Sequence, residues 1–171
     1  MARYRNFDGA LGAGTDTKAL HPALDDVRLR RAGLKAALSG LELALAAPFA
    51  NRADWVTHVR EALDVVHEVW TRHIVETEAP GAFLDELVTE SPRLSTPASR
   101  LRREHSDILA TIVREEEKLA TPPSDDDDSY TTWAEDLRVE LTALLAALAR
   151  HRQRGADLVY EAYAVDLGGG Y

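Results

Sequence analysis

Three histidines stand where a leucine would complete an apolar helix face. His151 follows Leu137, Leu141, Leu144 and Leu148 at alternating spacings of three and four, and Gly155 and Leu158 continue the same stripe. His105 lies between Leu101 and Ile108 on a second stripe, and His73 follows Val59, Ala62, Val66 and Val69 on a third. One histidine on an apolar face is ordinarily a core residue satisfied by a hydrogen bond. Three, on three different helices, shift the reading toward a metal, because neutral imidazole is a metal ligand. The chain has no cysteine, so thiolate sites, disulfides and cysteine nucleophiles are excluded and any metal must be held by His and carboxylate.

Two carboxylates are candidates to join them. Glu76 is three residues after His73 on the flank of the same face, and Glu161 lies toward the inner flank near the end of the last helix. Imidazole and carboxylate on facing helices are how bundles hold iron or manganese. An exposed or ion-paired role is the alternative for both. His21, just before Pro22, is the candidate from the first helix, with a helix-entry role as its alternative. Arg31 occupies the first helix's core stripe and either pairs with an inward carboxylate or extends to solvent. The remaining histidines, His58 and His67, read as surface or rim residues. Trp55, Trp70 and Trp133 read as packing anchors, and Tyr160 and Tyr163 as residues closing the bundle end near the histidines.

Four helical segments must position these side chains. The first spans residues 22–47, with Leu24, Val27, Leu34, Leu38, Leu41 and Leu45 on one face, and ends at Pro48. Asn51 caps the second, which stops near Pro80 and Gly81. The stretch "GAFLDELVTESPRLS" is either a short helix or an ordered loop. Thr96 before Pro97 starts the third helix, whose stripe is Leu101, His105, Ile108, Ile112 and Leu119. It ends before "TPPSDDDDS", a polar linker whose acidic run lacks the alternation and glycine of a calcium loop. Thr132 and Glu135 form a capping box for the fourth. The fold expected is all-α, an antiparallel up-down-up-down four-helix bundle over 20–164, with an N-terminal extension at 1–19 and a flexible C-terminal tail at 165–171. From these boundaries the three histidines differ in height by up to about 9 Å at 1.5 Å per residue, a gap within boundary error.

Composition fits a helical chain of 171 residues, 45% hydrophobic and only 6% aromatic, long enough for one core. A net charge of −9 argues against nucleic acid, which needs a basic face to release counterions. The N-terminal stretch lacks a signal peptide's apolar core and there is no membrane-length apolar run, so a cytoplasmic location is expected. No glycine-rich phosphate loop or Ser-His-Asp order supports an enzyme acting on an organic substrate. The apolar stripes do not separate internal packing from a partner surface, which leaves room for a homodimer.

The helix-three motif "RREHSDIL" and the helix-four stretch "HRQRGADLVYEAYAVDLGGG" resemble those of bacterial hemerythrin-like proteins, the HHE cation-binding group, over residues 20–169. The resemblance implies a non-heme iron centre, mononuclear or di-iron, that binds dioxygen or reacts with peroxide or nitric oxide. In the family five histidines and two bridging carboxylates hold two irons. His73 would match the His that opens the helix-two H-x-x-x-E, His105 the first His of helix three, and His151 that of helix four. Departures are plain: Thr77, Leu109 and Ala156 stand at positions where further ligands are expected, so a bridging carboxylate must come from Glu76 or Glu78 or be missing. The leading expectation is an iron protein responding to a small diatomic ligand or peroxide. The alternative is a metal-free helical interaction protein whose buried histidines hydrogen-bond carboxylates.

Overall fold

The computed structural model describes the backbone of residues 17–48, 51–123 and 127–166 and the side chains of 32–48, 51–123 and 128–162. Contacts divide the chain into two units, Met1–Ala32 and Gly33–Tyr171. In the first, the described part is helical from Thr17, five residues before the expected start. Arg31 and the side chain of His21 lie outside the described side chains, as do the expected N-terminal extension and C-terminal tail for most of their length.

The elements are α1 (Thr17–Ala46), α2 (Arg52–Glu78), α3 (Phe83–Glu90), a 3-10 turn (Pro92–Leu94), α4 (Ser95–Ala120) and α5 (Asp127–Asp166). There is no strand among the described residues, and no helix is long and apolar enough to cross a membrane. Four long helices pack against one another, as the apolar stripes require.

Asn51 caps α2 as expected, its side-chain oxygen accepting the Asp54 N–H at 3.4 Å. At the other end the Ala79 N–H returns to the Val75 carbonyl, and Gly81 turns the chain at φ 74°, a conformation costly for any residue with a Cβ. The following stretch resolves in favour of a helix. In α3, Leu84 and Leu87 are buried on one face, and Pro92 opens the 3-10 turn.

Two helix starts differ from the sequence reading. α4 begins at Ser95, with Leu94 at the cap, so Pro97 is its third residue; proline is tolerated there because the first four N–H groups have no partner in the helix. α5 begins at Asp127, leaving Thr132 and Glu135 exposed inside the helix rather than at a capping box. Two forces favour the earlier start. Asp128 places negative charge at the positive end of the helix dipole. Tyr130 is buried, and its hydroxyl donates to the Arg52 carbonyl at 3.2 Å, anchoring the extra turn to α2.

Contacts fix the directions. Arg60 of α2 donates to the Leu119 carbonyl of α4, while His67 meets Glu116 farther along, so these helices are antiparallel. α4 and α5 are antiparallel too, with Lys118 against Glu140 at one end and Glu104 against Arg154 at the other. α2 and α5 are parallel: Trp55 meets Trp133 near their starts, and His73 meets His151 beyond. From α1, Leu34, Leu38, Leu41 and Leu45 enter the same core.

The buried apolar residues form two clusters. The larger runs through α1, α2, α4 and α5 and includes Trp70, Ile108 and Leu148. The smaller comprises Leu84, Leu87, Leu94, Ala98, Leu101 and Leu158, from α3, the 3-10 turn, the start of α4 and the last third of α5.

Candidate metal centre

His73, His105 and His151 come together from α2, α4 and α5. One ring nitrogen from each lies within 4.8 Å of the others, with Nε2 of His105 and His151 3.1 Å apart and Nε2 of His73 and His151 3.4 Å apart. A tetrahedral ion with metal–nitrogen bonds of 2.0–2.1 Å would space its ligands about 3.4 Å apart. The two distances lie close to that edge. His105 and His151 are 1% and 4% exposed, so the group sits inside the bundle and not on a solvated face.

The three histidines share one layer although their distances from the helix ends differ. α5 runs on to Asp166 and carries Leu158 into the smaller cluster, so distance from its end overstates the offset of His151. Heptad position was the better guide: each histidine replaces the apolar residue its stripe calls for.

Trp70 forms the floor. It stacks on His73 at 5.1 Å between centroids and meets His105 and His151 edge-on at 5.4 and 5.0 Å. Its indole N–H donates to the His105 carbonyl at 3.3 Å, which satisfies its one polar group and fixes the ring.

Carboxylates hold the outer ring nitrogens. Glu78, the last residue of α2, hydrogen-bonds Nδ1 of His105. Glu104 places Oε2 3.2 Å from Nδ1 of His151 and accepts on Oε1 from Arg154 at 2.8 Å, with Arg100 at 3.3 Å. A carboxylate accepts, so each Nδ1 is the donor and each opposed Nε2 carries a lone pair. Two lone pairs 3.1 Å apart repel unless a cation or a shared proton lies between them.

Protonation states favour ligation. Burial and the neighbouring His105 and His151 rings hold the His73 pKa down to about 4. Burial, His151 and Arg102 hold His105 down to about 4 against the opposing pull of Glu104. His151 is also lowered, by burial, with Glu104 opposing. Burial raises Glu78, against Arg102. Neutral imidazole is the form that binds metal.

The other expected residues lie elsewhere. Glu76 is half-buried and lines a surface groove with His67, Arg72 and Glu116. Glu161 is exposed and pairs with Arg93 at 3.2 Å. His67 is a rim residue bonded to Glu116 at 2.7 Å, and His58 is exposed. Tyr160 is 75% exposed and does not close the bundle end; the side chain of Tyr163 is outside the described set. Sequence reasoning named Glu78 only as one place for a bridging carboxylate and did not single out Glu104. Glu104 adjoins His105, and neighbours on a helix point about 100° apart, so its reach across to α5 left no periodic signal.

Compared with protein-family models, with curated proteins and with solved structures, the chain matches none of them, and no family is identified.

Proposed function

We propose that this protein binds one divalent transition-metal ion through Nε2 of His73, His105 and His151, leaving a coordination position open to water or a small ligand. The observation that carries the reading is the inward convergence of the three imidazoles while Glu78 and Glu104 occupy Nδ1 of two of them. Metal-binding histidines commonly hold their outer nitrogen to a carboxylate in this way, which fixes the tautomer and raises ligand basicity. Only histidines converge among the described residues, with no carboxylate in the group, which supports one ion over two.

Iron, with dioxygen, peroxide or nitric oxide as the small ligand, is the ion we propose on the resemblance; zinc suits three imidazoles equally well on ligand chemistry alone. Bound iron would supply Lewis acidity and one-electron chemistry toward such a ligand. The chain's own part is to hold three neutral nitrogens in register, keep Trp70 beneath them and fix two tautomers through Glu78 and Glu104.

Cobalt(II) titration of wild type and His105→Ala tests this. Wild type should take up one equivalent with the visible bands of a tetrahedral nitrogen site, and His105→Ala should show none. Equal binding by the two proteins would sink the site. A wild type that binds nothing and keeps its melting temperature in chelator would instead support a metal-free bundle with a hydrogen-bonded histidine layer.

A further inference from the structure

The histidine layer separates the two apolar clusters. On α4 the stripe passes from Ile108 in the larger cluster through His105 to Leu101 in the smaller. On α5 it passes from Leu148 through His151 and Gly155 to Leu158. α2 contributes Trp70 to the larger cluster and nothing to the smaller; it reaches the layer with His73 and ends at Glu78. Between the clusters, therefore, these stripes carry imidazoles and a glycine rather than interlocking apolar side chains.

Beyond the layer, α3, the 3-10 turn, the first turns of α4 and the last third of α5 form an end cap with its own ties. Arg102 bonds Asp85 at 2.6 Å, and Arg93 bonds the Glu161 side chain and carbonyl at 3.2 and 3.0 Å. All of these lie inside the cap. Among the described residues its core has six buried apolar side chains against twenty in the main cluster, so it has far less apolar burial of its own to resist opening. Gly155 adds a weak point in α5, since a Cβ there would meet nothing within 4 Å and glycine lowers helix stability.

We infer that metal occupancy of the histidine layer controls the order of this end cap, which makes the protein a metal-responsive switch rather than a passive metal carrier. This rests on the three-histidine reading above. Without metal, Trp70 and the Glu78 and Glu104 hydrogen bonds hold the layer from outside, while the inward nitrogens of His105 and His151 face one another with opposed lone pairs. With metal, bonds to α2, α4 and α5 meet at that same layer and tie together the helices leading into the cap. A repulsive contact becomes a bonded one, and because binding and ordering are linked, loosening the cap must weaken metal binding by the same factor.

Hydrogen–deuterium exchange on the full chain, stripped of metal and then given one equivalent of zinc(II), tests the inference. Amides of residues 83–94 and 155–162 should exchange at least about tenfold more slowly with zinc. Leu87→Ala, which loosens the cap without touching a ligand, should weaken zinc binding several-fold; Val59→Ala, a comparable loss in the main core, should not. Zinc that binds wild type with unchanged cap exchange, or equal zinc affinity in Leu87→Ala and wild type, would overturn the switch and leave the metal site standing. Absence of zinc binding by wild type would overturn both.

Discussion

At the scale of residues, the site depends on what lies behind its ligands. Glu104 bridges His151 to Arg154 and Arg100, whose side chains are 37% and 61% exposed, so removing the carboxylate leaves no buried charge and should spare the fold. Glu104→Ala should therefore lower metal affinity by about 10–100-fold while the far-ultraviolet circular dichroism stays that of wild type. Isothermal titration would read the change, and an unaltered affinity would show that Glu104 does not orient the ligand. The sequence disclosed the three histidines because each broke an apolar stripe, but it hid this partner. Glu104 reaches its histidine across a helix interface, and periodicity within one helix carries no trace of such a contact. Glu115 was hidden differently: it fills the stripe between Ile112 and Leu119 fully buried, its charge met by Arg114 and Lys118 at 2.9 and 3.0 Å. A pattern built on apolar residues passes over an inward carboxylate.

At the scale of elements, the long helices were legible from Leu and Val spacing and the start of α2 from Asn51, whereas the starts of α1, α4 and α5 were not. The Thr132 and Glu135 pair has the chemistry of a capping box, yet Tyr130 buries itself against α2 and takes the helix past it. A tertiary contact outweighed a local signal. Tyr130→Phe, which removes only the hydroxyl bond to the Arg52 carbonyl, should cost about 1 kcal/mol in urea denaturation. A loss near zero would mean that the ring's burial alone carries the early start. In the core, Leu141 is 0% exposed, and Leu141→Ala should cost about 2–5 kcal/mol through lost transfer and the cavity left behind. That loss would dwarf the Tyr130 effect and should leave the site geometry intact in whatever fraction remains folded.

At the scale of the whole molecule, the histidine layer sets how the fold answers acid. His73 and His105 titrate near 4 in the folded chain against about 6.5 unfolded, so between these values the unfolded state binds more protons. Stability of the metal-free protein should hold steady above about pH 6.5 and fall as pH drops toward 4, by about 3 kcal/mol per group less the mutual repulsion of the two rings, which the separate shifts count twice. Denaturant melts at pH 7 and 4.5 in chelator would show it, and a His73→Leu variant should flatten the slope. Equal stability of wild type at the two pH values would mean the imidazoles take up protons in the fold as readily as in the unfolded chain. Of what the resemblance implied, the structure shows the all-helical bundle and the three inward histidines.

Elemental analysis of protein purified without chelator from cells supplied with iron and zinc, with the visible spectrum recorded before and after adding azide, is the most direct test of the central claim. One metal ion per chain in wild type, lost in His105→Ala, is the predicted result, and an azide-sensitive absorption would identify the ion as iron with an open position. A wild-type chain that carries no metal and takes none up from a cobalt solution would contradict it.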